Sequence, residues 1–269
     1  MTAVIIILAV LLIFAVLYLV VLTRPRAKAP ADKRLITDYA HRGLHGDGVP
    51  ENSLAAFARA ALGGYGIELD VQLSRDGEIM VFHDYTLVRM TGREGRLSDF
   101  SAAELRELTL GDTEERIPTL AEVLALVDGR VPLLVELKGE SADTALCEPL
   151  ARMLSQYSGP YCIESFNPML LGKMGKLMPR VWRGLLYTNV VRDKKRASLL
   201  NLALTAMLTN VIARPNFIAY NCVDRSSACV RICTRLWRAP RFSWTVRCEE
   251  EYAHAKQNGE CAIFEGFRP

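Results

Sequence analysis

The 269-residue chain has no C-x-x-C pair, no block of basic residues and no internal repeat, and only four histidines. Each lack narrows the reading. Its seven cysteines are odd in number and follow no regular spacing. Cys229 and Cys233 stand four apart on one face of an expected helix, yet no histidine or second pair completes a zinc set. They read as reduced thiols, free or buried, in a cytosolic setting. Net charge is only +3, and the basic residues after Lys176 are scattered, so nucleic acid is not an expected partner. Without repeats or low-complexity tracts, a chain of this length accommodates one large α/β barrel or two small domains.

Half of the residues are apolar, and the N-terminus explains part of that excess. Ala3 to Leu22 is an unbroken apolar run of twenty residues, the length that spans a bilayer core. A secretory signal would carry a basic region ahead of a shorter apolar stretch. Here no Lys or Arg precedes the run, and basic residues separate it from the cleavage-like Ala27-Lys28-Ala29. A transmembrane anchor over residues 1–23 is the expectation, with residues 3–22 in the lipid bilayer. Arg24, Arg26, Lys28, Lys33 and Arg34 all follow it, which predicts a single-pass protein of the cell membrane with its C-terminal domain in the cytoplasm. Residues 24–34 form a short basic Ala/Pro-rich linker, and residues 35–269 the domain.

From Leu35 onward, strand and helix patterns alternate. A first strand is expected over Leu35 to Ala40, ending at His41-Arg42-Gly43. A helix capped by Ser53 follows, with Leu54, Phe57, Ala58 and Ala61 on its apolar face. The run Ile67-Glu68-Leu69-Asp70-Val71-Gln72 is a strand, and Asp76-Gly77 turns it back into an antiparallel partner over Ile79 to His83. Thr86 to Arg116 is an excursion with a short helix capped by Ser101 and Glu104. Further strands are predicted at Pro132–Leu137, Tyr161–Ser165, Arg183–Tyr187, Phe217–Tyr220, Phe242–Val246 and Cys261–Phe264. Helices are expected over Thr119–Val127, Asp143–Gln156, Met169–Leu177, Arg196–Ala213, Ser226–Leu236 and Glu249–Asn258. Leaving out the hairpin partner, eight parallel-type strands remain, the number that closes a (β/α)8 TIM barrel. Ser198 to Ala213 is apolar enough to raise a second membrane contact, though an outer barrel helix is the simpler reading.

Alternation along a strand puts Glu68 and Asp70 on one face, and the hairpin brings His83 beside them. Glu136 and Lys138 repeat that spacing on a neighbouring strand, so a third carboxylate joins the pair. Three carboxylates suit one divalent cation, Ca²⁺ or Mg²⁺. The structural alternative is that Glu136 or Asp70 merely pairs with Lys138 inside the barrel, an expensive arrangement unless fully compensated. Asp84, next to His83, should point to the opposite side.

The ordered set Ala40-His41-Arg42-Gly43, Pro50-Glu51-Asn52-Ser53, Glu68-Leu69-Asp70-Val71, Val81-Phe82-His83-Asp84, Val135-Glu136-Leu137-Lys138, Ser165-Phe166-Asn167 and Trp244-Thr245-Val246 resembles the glycerophosphodiester phosphodiesterase family, in a membrane-anchored, bacterial-type form. The resemblance runs from about Thr37 to the end of the chain. It implies metal-dependent hydrolysis of a glycerophosphodiester to an alcohol and glycerol 3-phosphate. It also implies metal ligands at Glu68, Asp70 and Glu136, and an acid–base pair at His41 and His83. Arg42 and Lys138 are then the groups that hold the phosphodiester. Glu51 orients the site or bonds Arg42, or else serves as a helix-start carboxylate. Trp244 walls the alcohol pocket, or else is a core aromatic. Glu265-Gly266 departs from the family pattern, which commonly has Asp there. A membrane lysophospholipid is the alternative substrate, and a catalytically dead, membrane-tethered barrel is the rival from another class. Oligomeric state is left open.

Overall fold

A computed structural model describes residues 2–269. Nine strands form one sheet. They are β1 (Tyr39–Ala40), β2 (Gly66–Leu73), β3 (Ile79–Val81), β4 (Leu133–Leu137), β5 (Tyr161–Ser165), β6 (Arg183–Tyr187), β7 (Phe217–Asn221), β8 (Arg241–Val246) and β9 (Cys261–Phe264). All but β3 are parallel, and β1 pairs with both β2 and β9, which closes an eight-stranded TIM barrel as expected.

One irregularity in this closure shapes everything at the rim. β1 is two residues long and pairs with β2 only at Gly66 and Ile67. The expected strand over Leu35–Ala40 is thus cut short. Asp32 caps a 3₁₀ turn at Lys33–Leu35 by accepting the Arg34 N–H at 2.9 Å, and this local bond diverts the chain from extension. Above the end of β1 the same edge of β2 is taken by β3, antiparallel, from Val71↔Val81 to Leu73↔Ile79. The hairpin therefore stands on the rim where barrel chemistry is placed.

Side chains alternate inward along every strand. The lower barrel is filled by Tyr39, Leu134, Cys162, Trp182, Phe217, Phe242 and Ile263, all buried. The rings of Trp182, Phe217 and Phe242 pack with centroids 4.4 to 5.7 Å apart. Gly184 on β6 makes room for them: a Cβ there would come within 2.1 Å of the Phe217 ring. The outer helices pack on the barrel through an apolar shell that includes Phe57, Val123, Leu150 and Leu170.

Helix caps fall where the sequence puts them. Ser53, Ser101 and Thr119 each accept a backbone N–H three residues on, and the last two form reciprocal capping boxes with Glu104 and Glu122. Two expected helices are broken. The segment Arg196–Ala213 yields helices only at Leu199–Thr205 and Asn210–Ala213, with Met207 in a left-handed conformation between them. Ser226–Leu236 becomes Ala228–Arg231 followed by a π turn at Ile232–Leu236.

The N-terminal run is helical from Thr2 to Val16 and continues as a π turn through Leu22. This helix is long and apolar enough to cross a membrane, and its side chains are exposed rather than packed on the barrel, Leu12 and Ile13 each to 65%. Its end is attached to the domain. Tyr18 Oη donates to Ala206 O, Trp237 Nε1 to Leu19 O and Asn210 Nδ2 to Thr23 O, the last at 2.6 Å.

Candidate active site

The turn His41-Arg42-Gly43 leaves β1 in left-handed backbone, with φ of 56° at Arg42 and 81° at Gly43. Glycine is required at 43, because a Cβ would sit 2.8 Å from that of Ala56. The turn aims the Arg42 N–H at Glu68 Oε2, 2.8 Å away. Asn52, itself left-handed, reaches the next inward carboxylate, its Nδ2 donating to Asp70 Oδ2 at 2.8 Å. Two short turns with positive φ thus hold the two acids of β2.

Asp70 and Glu136 face each other as register partners, and Glu136 faces Glu164 on β5 in the same way. One oxygen each from Glu68, Asp70 and Glu136 lies within 4.8 Å of the others, and all three side chains are buried. Lys138 Nζ sits 3.0 Å from Glu136 Oε1 and 3.3 Å from Asp70 Oδ1. The pairing alternative is therefore only partly realised: Lys138 and Arg42 are two cations against four buried acids, and Asp70 Oδ1 has the Lys138 ion pair but no hydrogen bond of good geometry. The carboxylate pKa values show the same deficit. Burial and the charges of Asp70 and Glu136 push Glu68 well above its ordinary value. Burial, only partly offset by Lys138, takes Glu136 to about 7. Burial would raise Asp70 too, but Lys138, His83 and Arg42 outweigh it and hold it below the usual range. A hard divalent cation fits this set, which offers converging oxygen donors whose full ionisation the local cations do not support, and an Asp70 oxygen without a hydrogen bond.

The two histidines flank the cluster, and each is held by a carboxylate. His41 Nδ1 lies 2.7 Å from Glu265 Oε2, and His83 Nδ1 lies 2.6 Å from Asp84 Oδ1. Burial lowers both imidazole pKa values, offset in part by Glu265 for His41 and by Asp70 for His83. Hydrogen bonding from His41 takes Glu265 down to about 2, so this carboxylate is ionised and accepts. The expectation that Asp84 points away from His83 is corrected. β3 ends at Val81, so His83 and Asp84 lie past the pleat and strand alternation no longer applies. Gln72 fixes this turn by donating to Phe82 O and Asp84 O.

A chain of ion pairs links these groups across the rim. Arg42 Nη1 donates to Glu51 Oε1 at 2.8 Å, so Glu51 bonds Arg42, one of the readings its position allowed. Arg89 bonds both Glu51 and Asp84. The Arg42 Nε is buried without an acceptor and stands 3.6 Å from Asp70 Oδ2. Trp244 is half buried, its Nε1 donating to Ala219 O at 3.0 Å, and its ring meets the exposed Phe166 edge-on at 5.5 Å. It also packs against the aromatic cluster of the lower barrel, so its position agrees with both readings. A cavity of about 780 Å³, lined by Tyr161 and Trp182 among others, contains none of these residues.

Of the nine singled-out residues, Glu68, Asp70, Glu136 and Trp244 lie within barrel strands, and the other five lie in the segments that follow β1, β3 and β4. Sequence reasoning missed Asn52, Arg89, Glu164 and Glu265. Glu164 lacked the signal that singled out Glu136, a second charged residue two positions on, although it too is a carboxylate near the end of an apolar strand. Arg89 carried none, because its partners are 5 and 38 residues away.

The family model described as "Glycerophosphoryl diester phosphodiesterase family" matches residues 41–259. A glycerophosphodiester phosphodiesterase of Caldanaerobacter subterraneus is 41% identical over 159 residues, 55% of this chain and 65% of that protein, a little under two thirds of its length. The human glycerophosphodiester phosphodiesterase 1 is 33% identical over 158 residues, 54% of this chain and 46% of that protein. Among solved structures, an Oleispira antarctica phosphodiesterase in complex with the product sn-glycerol-3-phosphate superposes with a TM-score of 0.69. It is 25% identical and covers 85% of this chain and 92% of its own.

Proposed function

The chain belongs to the glycerophosphoryl diester phosphodiesterase family, and from that premise we propose that it hydrolyses glycerophosphodiesters to an alcohol and sn-glycerol 3-phosphate with the help of a divalent cation. The observation that carries this reading is the convergence of Glu68, Asp70 and Glu136 within 4.8 Å on one rim of the barrel, flanked by two carboxylate-held histidines.

Glu68, Asp70 and Glu136 would hold Ca²⁺ or Mg²⁺, which when bound polarises the phosphate and offsets its developing charge. Arg42 and Lys138 supply the remaining cations. The guanidinium offers a fork to the phosphate oxygens and the ammonium a point charge. One imidazole takes the proton of the attacking oxygen, from water or the substrate's own glycerol hydroxyl. The P–O bond to the leaving alcohol breaks, and the other imidazole, which enters the step as imidazolium with both nitrogens protonated, donates its Nε2 proton to that alcohol. Glu265 and Asp84 keep Nδ1 of each ring protonated, leaving each Nε2 to work in the site. Trp244 and Phe166 form an aromatic wall for the alcohol.

The apolar N-terminal helix supports a second substrate reading, a lysophospholipid entering from the bilayer. We assign residues 1–23 as a single-pass anchor. Residues 24–34 are then a linker, and the basic residues after the helix favour a cytoplasmic barrel. One assay separates the readings. Purified full-length protein is given glycerophosphocholine and lysophosphatidylcholine in parallel, with and without EDTA. Hydrolysis that stops in EDTA and in the His41→Ala and Glu68→Ala variants supports the mechanism. Full activity in EDTA would refute the metal's role, and preference for the lipid would favour the second substrate.

A further inference from the structure

Away from the carboxylate rim, a cavity of about 560 Å³ opens between the helices Pro168–Leu177 and Asn210–Ala213. Its polar walls are cationic: Arg26, Lys176, Arg183 and Arg214 all line it. We propose that this cavity is a second anion site, built to hold a phosphate group and separate from the catalytic rim.

Arg183 forms its floor. It opens β6, is 3% exposed, and lies against helix backbone, since a Cβ on Gly175 would come 2.8 Å from its Cζ. Its Nε donates to Ala213 O at 3.2 Å, an interaction that occupies one corner of the guanidinium and leaves the fork free. Arg214 follows that acceptor, in left-handed backbone with φ of 42°. Arg26 is fastened one residue further on, its N–H donating to Pro215 O at 2.7 Å. The short stretch 213–215 thus gathers three arginines from three separate elements.

Among the described residues, no carboxylate lies within 4.0 Å of Arg26, Lys176, Arg183 or Arg214. Lys173 on the same wall is different, being paired with Glu148 at 2.8 Å. Burial and the nearby charges of Arg26 and Arg214 lower the Arg183 pKa, the signature of like charges facing each other. An arginine remains protonated under such pressure, so the site relieves it by taking up an anion. Planar forks favour phosphate over halide.

The phosphate could belong to a phospholipid headgroup or to a free phosphate compound. Arg26 follows the end of the apolar helix by four residues, and the exposed Val211 and Ile212 border the cavity, 39% and 45% accessible. Both features suit a lipid whose headgroup lies beside the anchor, a source that rests on the membrane reading above.

Thermal unfolding of the full chain in a neutral detergent tests the site. Inorganic phosphate is titrated against chloride at equal ionic strength, and phosphatidylglycerol is compared with phosphatidylcholine in mixed micelles. Because loss of the buried Arg183 can unfold the wall, the variant is the exposed pair Arg26→Gln with Arg214→Gln. The wild type should be stabilised, and the double variant should bind about tenfold more weakly or worse, while its hydrolysis of glycerophosphocholine is unchanged. Stabilisation by inorganic phosphate identifies a free phosphate group as sufficient, and stabilisation by phosphatidylglycerol alone identifies the lipid headgroup. Equal responses of wild type and variant to both probes would overturn the proposal. A chain that keeps the differential response yet hydrolyses nothing would refute the proposed function and leave this site standing.

Discussion

Glu265, one residue past the end of β9, lies 2.7 Å from Nδ1 of His41, which leaves β1 at the opposite end of the sequence. The carboxylate is ionised, with its pKa near 2, so it accepts the Nδ1 proton and leaves Nε2 unprotonated as a base. Replacing Glu265 by Gln removes a charge that raises the His41 pKa against its burial. That pKa should therefore fall further, and the acid limb of kcat/KM should move to lower pH. The maximal rate should drop about 10- to 100-fold as the ring loses its fixed tautomer. A pH–rate profile of the variant beside the wild type measures both, and an unmoved acid limb would remove Glu265 from this role.

Metal affinity should weaken as pH falls through about 7, because the Glu136 carboxyl, raised to about 7 by burial, must lose its proton to bind. With Ca²⁺ or Mg²⁺ at about 100 times its dissociation constant, unfolding should be harder by about 2.7 kcal/mol. Asp70→Asn should abolish that increment together with activity. Calorimetric melts with and without the cation, at two pH values, read the effect directly.

Arg89 is a sharper test of the rim. Its side chain is 46% exposed, so the ion pairs to Glu51 and Asp84 should contribute only about 0–1 kcal/mol to stability. Yet they brace Asp84, which holds His83. Arg89→Met should thus leave the denaturant midpoint nearly unchanged while lowering kcat about tenfold or more. Equal losses in both would mean that the residue is merely structural.

Gly184→Ala should do the reverse. Its new methyl group would collide with Phe217 deep in the barrel, far from the rim. Overpacking of this kind costs about 1–3 kcal/mol. The midpoint should fall, with the activity of the folded fraction retained.

The convergence of Glu68, Asp70 and Glu136 was legible because each lies within a regular strand, where a period of two decides which way a side chain faces. The same rule failed at Asp84, which lies just beyond the last paired residue of β3. It was silent at Glu265, whose partner His41 is 224 positions away. The short β1 was missed for a related reason: the Asp32 turn competes locally with extension, and apolar pattern alone does not register such a bond.

Residue periodicity and caps on their own determined the eight-stranded closure, the hairpin, the three metal-binding candidates and the apolar N-terminal helix. These are properties of neighbouring residues, set by backbone geometry and hydrophobic pattern. The barrel's closure decided the rest: which carboxylate holds which histidine, how Arg89 ties Glu51 to Asp84, and where Arg26, Arg183 and Arg214 meet. Those contacts join positions that are distant along the chain, and only a closed sheet with its surrounding helices brings their charges within reach of one another.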